Sequence, residues 1–557
     1  MRLVALLLFP MLLFPMLLLG QSSPGCSLAG RVLNAANGEP VRHARLVLQH
    51  TDNPGAGAGM PARDTTMTDD RGAFTMKDIE PGKYRFSAER PGFARAEYGA
   101  RRPGREGVTL SLDAGQRLEG MVFRLIPQAV ISGRILDQDG DPVDRVMVTA
   151  NRYFYRIGKK QLAPAGSAMT DDLGEYRIFG LAPGRYYLSA TYRNFSPYLA
   201  MATRPAAKSA EEAYVPTYYP GTVDTANASA LDLAPGTQLR SMDFALTKAH
   251  TVHVRGRVNS PEGVSRGFVM ITLAPRGQIT WEMIRRARVL DPQGNFELAD
   301  VRPGSYTLTA FASGGKSTYF ARQQVDVGSS NIDGLMLNLS AGFEVTGRLQ
   351  VEGPPPPSLS EIRVNLSSRE PGEMSFGPMP NGHVKDDGSF TLSNVGMEVY
   401  RTRVSGLPDG YYLKSVRVSD DEVMDSGIDM TRGAPGPLVI TVSAKAGQIE
   451  GVVLDDKQQP TAGASVVLVP EPKFRDRPET FRDVTTDQYG RFVLKNLEPG
   501  AYKLFAWEDV EPGEYMDPEF LKPVEQRGHA VQIHEGSRES AELKLIPVEQ
   551  PAPKTGK

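Results

Sequence analysis

Cleaving a peptide with zinc takes two imidazoles and a carboxylate at fixed spacing, H-E-x-x-H or H-x-x-E with a distant histidine. The histidines are His43, His50, His250, His253, His383, His529 and His534, and none opens either pattern. His250 and His253 are three apart in "HTVH", which on a strand turns them to opposite faces and makes them poor co-ligands. "GVSRG" (Gly263–Gly267) fits G-x-S-x-G, yet a turn precedes Ser265 and a strand follows it. A nucleophile elbow needs a strand and then a helix. "SGGKST" (Ser313–Thr318) has Ala310 where a phosphate-binding loop requires glycine. Cys26, the one cysteine, has no evident histidine partner. No catalytic residue, resident metal or cofactor is expected.

Two kinds of binding residue remain. "DQDGD" (Asp137–Asp141) clusters three carboxylates as a calcium loop does, but Val148 stands where an EF-hand needs its bidentate glutamate. A solvated hairpin turn is the favoured reading. Tyr153 and Tyr155 in "NRYFYRIG", and Tyr214, Tyr218 and Tyr219 in "AYVPTYYPG", form aromatic clusters that could stack on sugar rings. The competing reading packs them between domains or into an alternating strand.

The elements that would position these residues are written in a repeated phrase. "TDDRGAF" ends at Phe74, "TDDLGEY" at Tyr176, "LDPQGNF" at Phe296 and "TDQYGRF" at Phe492. Each is followed by Pro-Gly and then by a tyrosine ten residues after the aromatic: Tyr84, Tyr186, Tyr306 and Tyr502. A worn copy, "KDDGSF", ends at Phe390 and keeps Tyr400 at the same offset, although its Pro-Gly has become Met397-Glu398. Each copy opens with a glycine on an apolar strand: Gly30, Gly133, Gly256, Gly347 and Gly451. Those starts are 91 to 123 residues apart, far beyond a solenoid period and typical of whole domains. Period-two segments such as "ARLVLQH" and "YRFSAER" read as strands with one buried face, and "TDDxG" and "PG" as the turns between them. The fold expected is all-β: a tandem array of about five Ig/transthyretin-like β-sandwiches, arranged as beads on a string. The units are placed at 26–127, 128–248, 249–341, 342–446 (degenerate) and 447–548, with a disordered tail at 549–557. The repeated tyrosines should be buried, each against the aromatic ten residues before it.

Composition and targeting narrow the setting. The chain is 40% hydrophobic and 23% charged with a net charge of −2, which disfavours nucleic acid or an anionic membrane as partner. Met1-Arg2 and the run "LVALLLFPMLLFPMLLL", broken by Pro10 and Pro15, read as a secretory signal within residues 1–25. Cys26 follows and is read as a stray thiol near the new N-terminus, with a lipid on Cys26 as the alternative that would tie the chain to a membrane.

The string G-R-V…G-x-P-V…A-x-V…T-D-D-x-G-x-F…L-x-P-G-x-Y-x-L-x-A resembles the carboxypeptidase regulatory-like domain, a transthyretin- or prealbumin-like sandwich. It is similar also to collagen-adhesin B-type repeats and to starch-binding-like folds. "YVPTYYPGTVDTANASALDLAPG" resembles exported multi-domain proteins of acidobacterial type. The resemblance covers nearly everything after residue 26 and is weakest in the fourth copy. In the carboxypeptidases that lend the name, the domain accompanies a separate zinc peptidase, whose motifs this chain lacks. Collagen-adhesin repeats often carry a lysine cross-link on the first strand. Here Arg31, Arg134, Arg257, Arg348 and Val452 follow the opening glycines, and a guanidinium is no such nucleophile. The function expected is a non-enzymatic exported scaffold, structural or adhesive, at the bacterial envelope. Its partner would be an extracellular polysaccharide or an envelope protein. The alternatives are carbohydrate binding through the tyrosine clusters, or an accessory role beside a secreted hydrolase.

Overall fold

A computed structural model of the protein describes residues 25–51, 63–192, 212–261, 269–277, 281–289, 293–314, 317–369 and 379–548. The segment expected to be a secretory signal (residues 1–24), Ser265, Lys316 and residues 549–557 lie outside them.

Strands dominate the described residues, and the buried side chains gather into one main core per repeat, with a second layer added in the fifth. These cores run from Cys26 to Leu125, Ala129 to Leu246, Val252 to Leu339, Val345 to Val442 and Ile449 to Leu543. In the first unit, one sheet has the order Ala73–Ile79, Cys26–Asn34, Arg117–Pro127, Phe93–Ala94. The facing sheet has Arg63–Met67, Arg45–His50, Gly82–Glu89, Ala96–Glu97, with Leu110–Leu112 also on Gly82–Glu89. Each unit repeats one pairing rule. Its opening strand runs antiparallel to the strand carrying the motif's aromatic and parallel to a strand late in the unit. The array is therefore made of β-sandwiches.

The repeated residues each hold a particular part of that sandwich. The opening glycine stands directly opposite the aromatic: Gly30 against Phe74, Gly256 against Phe296, Gly451 against Phe492. A Cβ on Gly30 would come 2.0 Å from the Met121 carbonyl oxygen, and one on Gly347 would come 2.2 Å from the Phe390 ring. Glycine is required because a ring and a neighbouring backbone both close on that point.

The Thr-Asp pair of the motif works through hydrogen bonds. Thr170 is buried; its hydroxyl donates to the Val143 carbonyl at 2.7 Å and accepts from the Val146 amide at 2.9 Å. Thr68 and Thr486 make the same two bonds in the first and fifth units. Asp171 Oδ1 accepts from the Leu173 and Glu175 amides, as Asp69 and Asp487 do in their own turns. The phrase is thus a side-chain clamp on a hairpin, with its threonine hydroxyl and first aspartate used internally. Thr170→Val keeps the shape and strands a buried amide. It should destabilise the second unit by about 1–3 kcal/mol in urea titrations, with the slope against urea unchanged.

The tyrosines are buried, as the spacing suggests, and the reason lies in the turn. The hydroxyls of Tyr84, Tyr186, Tyr306 and Tyr502 donate to the carbonyls of Glu80, Ala182, Arg302 and Glu498, four residues earlier. In the worn fourth copy the bond is replaced, and Tyr400 Oη accepts from the Gly396 amide at 3.1 Å. The expected ring-on-ring contact with the preceding aromatic is corrected: among the described residues no ring pair joins a repeated tyrosine to the aromatic ten residues before it, and Tyr84 meets His50 at 4.7 Å. Phe74 packs instead on Phe86 and Phe123, with centroids 5.6 and 6.2 Å away. Just before the turn, Asp78, Gly180, Asp300, Asn394 and Asn496 all take positive φ, between 56° and 80°. Gly, Asn and Asp tolerate that conformation best.

Two expectations about disposition are overturned. Cys26 is no stray thiol. It is fully buried in the first strand and donates to the Asp113 carbonyl at 3.0 Å, so a lipid on its sulfur would have to leave the core. Nor are the units strung out as separate beads. The fifth unit touches the fourth, the second and the first, so the array folds back on itself. Strand Ser465–Pro470 explains part of this. It is buried on both faces, with one side on its own sandwich core and the other under a layer built from Val510, Tyr515 and Leu521. That layer includes the short helix Pro518–Leu521, capped by Asp517 accepting from the Glu519 amide.

Candidate functional site at the closing junction

Among the described residues no group of metal-ligating side chains gathers within a unit, and the polar clusters lie instead between units. In the first unit a loop carries Arg101, Arg102 and Arg105. It is braced by the Gly107 amide donating to Glu97 Oε2 at 2.9 Å and by Arg85 pairing with Glu106 at 2.6 Å. The outer layer of the fifth unit presents Glu508, Asp509 and Glu511 to it. Arg101 meets Glu508 at 2.8 Å, while Arg105 meets Asp509 at 3.2 Å and Glu511 at 2.5 Å; Arg102 also pairs with Asp509. Asp509 is only 9% exposed, so this contact is partly desolvated and screened less than a surface pair. Beside it, Gln488 and the backbone of Ser111 exchange two hydrogen bonds of 3.1 and 2.8 Å. Gln116 donates to the Tyr489 hydroxyl at 3.0 Å.

The second unit enters the same junction. Gly158 lies so close to the fifth unit that a Cβ there would sit 2.5 Å from the Met516 carbonyl oxygen. Tyr155 packs by Gly513, and its phenol is pushed up to about 12, first by burial and then by the Glu514 carboxylate. Deeper in the layer, Tyr515 donates to Asp483 at 3.1 Å, and burial raises both groups above their ordinary ranges.

The other junctions are smaller and also polar. Glu282 accepts from Ser189 at 2.9 Å and from Asn151 at 3.4 Å between the second and third units. The Thr318 amide donates to Asn394 at 2.8 Å between the third and fourth. Between the fourth and fifth, Arg477 is 6% exposed and pairs with Asp425 at 3.1 Å, with Glu479 at 3.4 Å and with Glu498 at 3.2 Å. Spacing alone missed these residues. The one signal available was the unbroken apolar run "SVVLVP", which forecasts burial on two faces.

The structure scatters the tyrosines singled out as sugar platforms. Tyr153 is half-buried edge-on to Tyr187 at 5.2 Å, with Lys160 Nζ 4.6 Å from its ring centre. Tyr155 belongs to the closing junction. Tyr214 packs on Tyr192 at 5.6 Å, with Lys248 5.1 Å away. Tyr218 is 2% exposed and Tyr219 packs on Phe244 at 5.7 Å, so neither ring forms an open platform. The expected stacking surface around Tyr218 is corrected accordingly.

The acidic stretch Asp137–Asp141 forms the hairpin turn expected of it, with Asp137 Oδ1 accepting from the Asp139 and Asp141 amides at 2.9 Å. Among the described residues no group of three or more His, Cys, Asp or Glu side chains is gathered as a metal site. His253 Nδ1 lies 2.5 Å from Glu297 and His250 Nε2 lies 2.7 Å from the Ser329 carbonyl oxygen. The described ends of "SGGKST" lie on paired antiparallel strands, with Ser313 opposite Thr318. No helix among the described residues is long and apolar enough to cross a membrane.

Comparison with known proteins fits these geometries. The carboxypeptidase regulatory-like domain matches residues 27–121, 130–247 and 448–513, together about half of the chain. Domain II of polysaccharide lyase family 4 matches residues 286–332. The BOS complex subunit NOMO1 of Mus musculus is 24% identical over 349 residues, which is 61% of this chain and 25% of that protein. The chain therefore spans about a quarter of that relative. Among solved structures, the minor pilin GBS52 of Streptococcus agalactiae is 14% identical with a TM-score of 0.22, covering 44% of this chain and 100% of that one. The major pilin subunit BcpA of Bacillus cereus is 11% identical with a TM-score of 0.14, covering 57% and 100%. Overlaps this low say nothing about arrangement or activity. With its opening glycines, Thr-Asp clamps and tyrosine-closed turns in place, the chain belongs to the carboxypeptidase regulatory-like domain family.

Proposed function

We propose that the protein is a non-enzymatic scaffold, exported to the bacterial cell envelope, where it serves a structural or adhesive role. The observation that carries this reading is the fate of the repeated residues: threonine, aspartate, glycine and tyrosine are all consumed in holding turns and sheets. Export is supported by the apolar opening segment. The working units of the scaffold are residues 26–127, 128–248, 249–341, 342–446 and 447–548. Purified full-length protein should turn over neither blocked nor free peptides, and cell fractionation should find it with the envelope. Sustained, chelator-sensitive hydrolysis, or retention in the cytoplasm, would overturn the proposal.

A carbohydrate-binding role falls to Tyr153 and Tyr214, because each offers a half-buried ring with an ammonium group beside it. Glycan binding lost in Tyr153→Ala or Tyr214→Ala would favour this reading. Tyr218→Ala could not test it, since that change empties a buried position.

A further inference from the structure

An open cleft of about 530 Å³ lies on the fourth unit beside Arg322 of the third, and its polar lining is unevenly charged. Arg322 of the third unit reaches Glu398 of the fourth at 3.4 Å and so spans the two units. Arg369, on the fourth unit's side, lines the same cleft, and its guanidinium has no carboxylate partner among the described residues. One positive charge is therefore left over. The Ser368 side chain adds a hydroxyl to the lining, Thr431 adds a hydroxyl oxygen able to accept while its proton goes to Asp429 at 2.6 Å, and Met397, half exposed, adds an apolar edge.

From this cleft we infer a binding site for a carboxylate-bearing sugar, a uronate residue of an acidic polysaccharide. A planar guanidinium with spare donors matches a carboxylate bidentately, and hydroxyls beside it match sugar hydroxyls. The volume suits one or two sugar rings, and a junction between domains is a common place for such a site. An extended acidic peptide fits less well. Peptides in clefts draw on free backbone groups, and here the Val399 carbonyl already accepts from the Arg369 amide at 2.9 Å. The Glu398 carbonyl accepts likewise from the Met430 amide at 3.0 Å. The site lies apart from the tyrosine clusters and requires no turnover, so it stands whether or not the scaffold reading does.

The test is calorimetric titration of the full chain with a tetra-uronate, its fully methyl-esterified form and an acidic tetrapeptide. The uronate should bind, the ester should not, and Arg369→Ala should weaken binding about tenfold or more, as loss of charged hydrogen bonds does. Arg369→Lys should recover part of the affinity. An unchanged melting temperature in Arg369→Ala would show that its effect is on the ligand. No uronate binding, equal binding of the ester, or equal affinity in wild type and Arg369→Ala would overturn the inference. Tighter binding of the peptide would assign the cleft to a protein partner and overturn it too.

Discussion

Tyr186→Ala should destabilise the second sandwich by about 3–5 kcal/mol, the usual cost of removing a large buried ring. The ring is 2% exposed among Ile131, Val148 and Leu188, with little room for neighbours to collapse into the space. Its hydroxyl closes the preceding turn on Ala182, so the change loses that bond as well. Tyr186→Phe isolates the smaller term and should cost about 1 kcal/mol. Against a domain stability of about 5–15 kcal/mol, the alanine variant approaches or crosses the threshold for unfolding that unit. Its loss would also release Glu282 of the third unit and free Tyr155 from the fifth. Calorimetry of the full chain should show one transition moved to lower temperature while the remaining cores still melt cooperatively. An alanine variant that melts like its parent would remove the packing role assigned to the repeated tyrosine.

Arg477→Met should be of similar size, about 3–5 kcal/mol, because it leaves buried carboxylates without their cation. Burial already lifts the Glu498 carboxyl above its ordinary range, and Arg477 is the nearest charge opposing that rise. The sign in pH follows. A carboxyl whose pKa is raised by folding favours the folded state below its unfolded value, and that advantage disappears as the pH climbs through the folded value. Removing Arg477 raises Glu498 further, so the deficit of the variant should be largest at neutral pH and shrink on acidification toward pH ~4. Urea titrations at the two pH values measure it. A deficit that stayed constant or grew on acidification would contradict the role given to Arg477 as the counter-charge of a buried carboxylate.

How much of this was legible in the sequence depends on whether a residue answers to its own strand or to a distant surface. Thr170 and Asp171 act within a hairpin, and Tyr186 caps a turn four residues away, so their spacing carries their role. Gly30 was legible as a strand opener, but its reason, contact with a strand some ninety residues later, was not. Arg101 and Glu508 are ordinary surface charges in sequence, and nothing in their neighbourhoods announces that they meet. The tyrosines of "AYVPTYYPG" show the limit from the other side. A cluster of rings reads alike whether it faces water or, as at Tyr218, the interior. Composition cannot tell those apart; only burial can.

The fold-back itself is the claim most exposed to measurement. Five units of about a hundred residues with the fifth against the first and second should give a radius of gyration of about 25–30 Å, and the same units in a line about 50 Å. Small-angle X-ray scattering on full-length protein at low salt distinguishes these directly. The expected result is the compact value, moving toward the extended one in Arg105→Glu, which sets like charges against Asp509 and Glu511. A radius near 50 Å in the unaltered protein at low salt would contradict the closed array.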